Sequence, residues 1–181
     1  AGSHSFTQNT INADASRAYA SVFKGLNLAF GTEFRYENYQ ILAGETASYI
    51  NGGAQSFPGF SYLNVVNKSR TSFGFYADAE LNFTDKFLVD AAVRFENFSD
   101  FGNTTNGKLS ARYKITDKFF VRGSASTGFR APSLQQQYFN NIATDVVDGK
   151  LLNSGIFRND SDVAKQLGIP ELKEETSTNY S

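Results

Sequence analysis

The chain has 181 residues, room for one domain, and 17 basic against 18 acidic side chains, a formal net charge of −1. That balance argues against nucleic acid as a partner, which needs a basic patch or stripe. Cys is absent and His4 is the sole histidine, which excludes a disulfide framework, a thiolate metal site and a cysteine nucleophile; no stretch approaches the roughly 18 consecutive apolar residues of a membrane-crossing helix.

Ala1-Gly2-Ser3-His4-Ser5 has the pattern of a tag or cloning remnant, so residues 1–5 are set apart from 6–181. With neither Met nor a signal-peptide pattern, the chain reads as a piece of something longer. Phe6–Ser16 is predicted as the first strand, with Ile11, Ala13 and Ala15 opposing Asn12, Asp14 and Ser16. A turn follows at Arg17–Gly25. Leu26–Gln40 forms the second strand: Leu26, Leu28, Phe30, Phe34 and Tyr36 oppose Asn27, Glu33, Arg35 and Glu37. At Asn38–Ile41 the bulky residues change parity, to Tyr39 and Ile41, which predicts a β-bulge. Ala43–Asn64 is a long Gly- and Ser-rich loop that carries Tyr49, Phe57, Phe60 and Tyr62. Aromatics in such a loop either pack down to order it or meet a ligand.

Thr71–Arg130 is the organising stretch, four strands alternating with period two. In the first, Phe73, Phe75, Ala77, Ala79, Leu81 and Phe83 oppose Ser72, Tyr76, Asp78, Glu80 and Asn82. In the others, Phe87–Phe95, Leu109–Ile115 and Phe119–Phe129 keep an apolar row against Asp90, Arg94, Glu96, Arg112, Lys114 and Arg122. Thr84-Asp85-Lys86 and Thr116-Asp117-Lys118 make short turns at one end, and Ser99–Asn106 and a loop from Ala131 connect the other. After Pro132, which cannot donate to a ladder, Gly149–Phe157 reads as a small hairpin. Residues 160–168 read as a short helix with Asp160 or Ser161 as N-cap and Gly168 just past its end. Leu172–Ser181 begins another strand.

The alternation suits two settings. A soluble antiparallel sheet shows it when one face packs on a core, and a transmembrane barrel shows it with the apolar face toward lipid. Short turns on one side with long loops on the other favour the barrel. The outward Phe, Val and Leu would also form a patch larger than a soluble monomer tolerates. Phe83, Phe87, Tyr113 and Phe119 near the turns, with Tyr36, Phe95 and Phe129 toward the other ends, match two aromatic girdles. The competing readings are a soluble structural or adhesive β-sandwich or repeat module, and a passive porin. The paired carboxylates Asp78 and Glu80 lack any neighbouring catalytic group, and Asp145, Asp148, Asp160 and Asp162 lack calcium-loop spacing. No enzyme activity, metal or cofactor is indicated.

Gly128-Phe129-Arg130-Ala131-Pro132-Ser133-Leu134 resembles the rim stretch of the TonB-dependent outer-membrane receptors. Residues 118–127 fit the strand leading into it. Leu172-Lys173-Glu174-Glu175-Thr176-Ser177-Thr178-Asn179-Tyr180 is similar to a strand start of that family, with Glu174 where Pro is usual. Phe30–Glu37 and Ala43-Gly44-Glu45 also look like a common barrel segment. The resemblance covers most of the chain. It implies an all-β fold: an antiparallel up-and-down meander of about six strands and the start of a seventh, within a 22-stranded transmembrane barrel, with a short helix in a long extracellular loop. It further implies an outer-membrane importer of a scarce ligand (ferric siderophore, cobalamin or glycan) driven by TonB and the proton gradient. Partners would be outer-membrane lipid, the rest of its own barrel and plug, and the TonB complex through parts outside this chain. The piece alone is expected to transport nothing and to self-associate. Arg17–Gly25 and the Thr-Asp-Lys turns would be periplasmic, with Ile41–Val66, Ser99–Asn106 and Ala131–Glu171 extracellular. Tyr49, Phe57, Phe60, Tyr62, Arg130 and Tyr138 are the candidate ligand contacts on those loops. Gly128, Phe129, Arg130, Ala131, Pro132 and Ser133 form the rim motif, and holding the loop is the favoured role for Arg130.

Overall fold

A computed structural model describes residues 1–50 and 58–181. In chain order the elements are β1 (Ser3–Tyr19), β2 (Leu26–Leu42), β3 (Val66–Asn82), β4 (Phe87–Phe98), β5 (Gly102–Thr116), β6 (Phe119–Arg130), α1 (Leu134–Tyr138), β7 (Asn141–Val147), β8 (Lys150–Ile156), α2 (Asp162–Gln166) and β9 (Glu175–Tyr180). β1 to β6 and β9 line up in that order as one seven-stranded sheet, and β7 and β8 pair separately. The chain is the expected all-β meander. β1 begins at Ser3, so the strand runs back through the Ser-His stretch.

The register explains why the meander holds. Phe75↔Phe95, Ala77↔Val93, Ala79↔Ala91 and Leu81↔Val89 set the apolar rows of β3 and β4 side by side. Val89↔Ala111, Phe87↔Tyr113 and then Tyr113↔Val121 carry the row onward. A slip of one residue would throw every one of these side chains to the other face. The row lies open: Val93 is 46 % and Leu109 57 % exposed, where a sandwich would bury them against a second sheet. At the turn end, ring contacts at 5.3, 5.8 and 6.4 Å link Phe23, Phe83, Phe87 and Tyr113 into a continuous aromatic belt. Phe129 instead joins Phe98 and Phe101 in a three-ring cluster.

Internal contacts divide the chain into two compact units. One comprises Asn9–Tyr36, Thr71–Ala131 and Glu174–Ser181, and the other Ala1–Gln8, Glu37–Arg70 and Pro132–Lys173. In the first, the polar face carries ion pairs within strands, Glu33 with Arg35 and Arg94 with Glu96, and across them, Glu33 with Arg94 and Asp90 with Lys108. Tyr76 on β3 donates to Asp14 on β1 at 2.8 Å, across β2. Gly31 makes this possible, because a Cβ there would press on the Asp14 carboxylate and the Tyr76 ring. Gly31→Ala should therefore lower the thermal unfolding temperature of the barrel in detergent by more than Tyr76→Phe, since it adds a clash to the same lost bond. Circular dichroism checks the order. In the turn after β5, the Lys114 ammonium at 2.9 Å holds the Asp117 carboxyl below its ordinary range.

Two expectations are corrected. The stretch 99–106 is no loop: only Ser99, Asp100 and Phe101 turn, and β5 begins at Gly102, whose φ of +101° suits glycine. Its Asn, Thr and Gly composition reads as loop, yet Phe98↔Gly102, Asn97↔Asn103 and Glu96↔Thr104 give each residue a ladder partner. The contrast in connection length thus rests on 43–65 and 131–174. Nor does the parity change at Asn38–Ile41 signal a bulge. β2 runs unbroken to Leu42, and Glu37, Tyr39 and Ile41 are buried in strict alternation. The face stays the same, and what covers it changes. The two Thr-Asp-Lys turns close alike: Thr84 and Phe87 exchange both backbone bonds, at 3.3 and 3.4 Å, and Thr116 pairs with Phe119.

Candidate functional site

Capping chemistry shapes the loops of the second unit. Ser133 caps α1, its Oγ accepting from the Gln136 amide at 3.1 Å while Gln136 Oε1 accepts from the Ser133 amide at 2.9 Å. This reciprocal box follows from Ser at the cap with Gln three residues on, in Ser-Leu-Gln-Gln. Ser161 caps α2 and Gly168 follows it with φ +69°, as the sequence suggested. In the β7–β8 hairpin, Asp148 and Gly149 both take positive φ (49° and 74°). This is the two-residue turn whose twist matches antiparallel strands, and it sets Val147 against Lys150 and Val146 against Leu151.

These loops rest on a small core. Tyr39 and Ile41 from β2, Phe60, Val66 from β3 and Leu134 from α1 form one buried cluster, with Tyr138 and Phe139 packed against it. The Tyr39 hydroxyl is buried without a hydrogen-bond partner among the described residues. Beside the cluster lies a buried ion pair. Arg70, 5 % exposed, donates from Nε to Glu37 Oε2 at 2.7 Å, and its terminal nitrogen reaches the same oxygen at 2.6 Å. Its other terminal nitrogen donates to the Pro132 carbonyl at 2.8 Å. Gln137 also donates to that carbonyl, at 3.1 Å. Arg70 thereby pins the start of the 132–173 segment to two strand ends, β2 and β3.

Above this base a cleft of about 450 Å³ opens between two walls. Tyr49, Ile50, Pro58, Ser61, Tyr62 and Leu63 form one, and Ile142, Ala143, Thr144, Val146 and Leu151 of the hairpin form the other. A mainly apolar cleft with a few hydroxyl groups can enclose an organic ligand that presents ring or alkyl surface and some polar edges. Among the described residues no group of three or more His, Cys, Asp or Glu could hold a metal ion. Among the described residues no helix is long and apolar enough to cross a membrane, which says nothing of a β-barrel.

The structure places the expected contact residues as follows. Tyr49 and Tyr62 meet in the cleft, and Tyr62 is largely exposed. Phe60 is buried in the core, the packing alternative for a loop aromatic. Tyr138 packs against the core with Lys68 Nζ 5.1 Å over its ring. Arg130 is exposed and faces Glu175 at 3.6 Å. Phe57 lies outside the described residues. Arg70 also reaches the loop after Ala131, through its bond to the Pro132 carbonyl. Sequence reading missed Arg70, Glu37 and Asn64, whose only signal was a polar residue at a strand or loop end.

A family model described as "TonB dependent receptor-like, beta-barrel" matches residues 2–181. The chain is 25 % identical over 155 residues to the ferrienterobactin receptor of Escherichia coli, covering 84 % of this chain and 20 % of that receptor. It is 32 % identical over 53 residues to the vitamin B12 transporter BtuB of Vibrio cholerae, covering 29 % of this chain and 9 % of the transporter. Among solved structures it resembles the siderophore receptor PirA of Pseudomonas aeruginosa, with a TM-score of 0.69 at 14 % identity over 99 % of this chain and 29 % of that one. PirA of Acinetobacter baumannii gives 0.65 at 16 % identity, over 98 % and 24 %. The chain thus spans about a fifth of the ferrienterobactin receptor's length.

Proposed function

The chain belongs to the TonB-dependent receptor family, as part of its outer-membrane β-barrel, and from that premise we propose that it supplies strands and ligand-capturing loops to an energy-coupled importer of a ferric siderophore. The observation that carries the ligand class is the match to the ferrienterobactin receptor over 84 % of this chain. The B12 transporter match covers 29 %, so cobalamin is the second reading. In this proposal the apolar rows face lipid and the ionic face lines the lumen of a larger, 22-stranded barrel. The plug and the TonB contact belong to other parts of the whole receptor, and these 181 residues alone do not transport. No catalytic step is part of it.

The cleft between Tyr49, Tyr62 and the hairpin is the proposed capture surface, because aromatic side chains offer large contact area at low entropic cost. The test uses the full-length receptor in the outer membrane of iron-starved cells that lack other importers. Uptake of labelled ferric enterobactin is expected, and Tyr49→Ala with Tyr62→Ala should reduce it roughly tenfold at limiting ligand. Uptake of cyanocobalamin instead would favour the second reading. Uptake of neither would remove the siderophore proposal.

A further inference from the structure

We propose that Asn64 is the positioning residue of this cleft: its side-chain amide stands in for a missing strand and sets the distance between the two walls. Asn64 is fully buried, at 0 % exposure. Its Oδ1 accepts from the Ile142 amide at 2.7 Å, and its Nδ2 donates to the Ile142 carbonyl at 3.4 Å. One side chain thus satisfies both backbone groups of a residue on β7, on the edge that faces away from β8. A partner strand would make the same pair of bonds.

The amide is itself held in place. Asn64 closes a one-turn 3-10 helix, Tyr62–Asn64, capped by the Ser61 hydroxyl, which accepts from the Leu63 amide at 3.2 Å and from Asn64 Nδ2 at 3.4 Å. Its own carbonyl accepts from Asn140 Nδ2 at 3.4 Å, two residues before Ile142. Leu63 lines one wall and Ile142 the other, so Asn64 joins the walls at their root. A buried backbone amide and carbonyl left without partners are costly. The hairpin therefore keeps the spacing at which both bonds to Asn64 form.

The inference deepens the reading of the cleft but is tested without ligand, so it stands or falls apart from the siderophore proposal. Asn64→Leu nearly keeps the side-chain volume and removes both bonds. Hydrogen exchange at the Ile142 amide, slow in the wild type, should accelerate at least ~tenfold in this variant, while amides in the β3–β4 ladder stay unchanged. The chain has no cysteines, so spin labels on Tyr62→Cys and Leu151→Cys, both on exposed cleft residues, report the gap. One narrow distance is expected in the wild type and a broad distribution with Asn64→Leu. Asn140→Ala, which spares the Ile142 bonds, should keep the distance narrow. Fast exchange at Ile142 in the wild type would overturn the proposal, and so would a narrow distance in Asn64→Leu. Equal acceleration throughout β3 to β6 would reduce Asn64 to a general stability residue and overturn it too.

Discussion

Arg70→Ala should release residues 132–173 while leaving the strands of the sheet paired. The substitution removes the ionic partner of Glu37, which is 7 % exposed, and a donor to the Pro132 carbonyl. Breaking a buried pair from one side leaves an uncompensated charge, at a cost of about 3–5 kcal/mol. Because each 1.36 kcal/mol is a factor of ten, amides that depend on the docked loop should exchange on the order of a hundredfold faster. The amides to follow are Gln136, bonded to Ser133 Oγ, and Phe139, bonded to the Gln135 carbonyl.

Two further variants separate the pair from a general loss of packing. Arg70→Lys keeps the charge, but a single ammonium cannot reproduce the planar fork that reaches Glu37 and Pro132 together, so its effect should be intermediate. Arg70→Met combined with Glu37→Leu removes both charges and should recover much of the protection, since apolar replacement of a buried pair is often neutral. If the double variant exchanges as fast as Arg70→Ala, the ion pair is not what holds the segment.

The strands were legible because period-two alternation is written in adjacent residues. Phe75, Val93, Leu109 and Val121 fall on one face by counting alone, and the register then brings them together. The Ser161 cap was equally local, whereas the hairpin expected within Gly149–Phe157 instead pairs Asn141–Val147 with Lys150–Ile156. What escaped reading was everything that depends on distant residues. Arg70 meets Glu37 33 positions away and Pro132 62 positions away, and Asn64 meets Ile142 78 positions away. No local pattern distinguishes Arg70 from Arg94 or Arg112, which share its parity or its setting on the polar face. The misread bulge at Tyr39 has the same origin. A strand that leaves one environment for another keeps its geometry while its residue types change, and residue types alone then imitate a change of geometry. Of the candidate contacts, Tyr49 and Tyr62 could be found as loop aromatics, but only tertiary structure separates them from Phe60, which the core takes.

The neighbouring residues Ala91 and Ala92 allow the two faces to be compared with one chemistry. They sit at the middle of β4 and point to opposite sides. Ala91 lies between Ala79 and Leu109 in the open apolar row, whereas Ala92 lies between Asp78 and Lys108 on the ionic face. Ala91→Arg should destabilise the barrel in bilayers by about 2–4 kcal/mol, the cost of a cation at the lipid midplane. Ala92→Arg adds the same side chain to the same strand with a carboxylate beside it, and should be close to neutral. Strand propensity and chain entropy cancel in the comparison, so the difference reports the surroundings of the two faces. Folding titrations of the full-length receptor into lipid vesicles measure it. In a soluble sheet with its apolar row buried against protein, Ala91→Arg would be harmful in the absence of lipid as well. A barrel restricts the penalty to the bilayer, and the same pair in detergent micelles, where the cation can find water at the micelle surface, should differ less. Equal costs at both positions in vesicles would show that lipid does not face the Ala91 side, and the barrel orientation assigned to this sheet would be wrong.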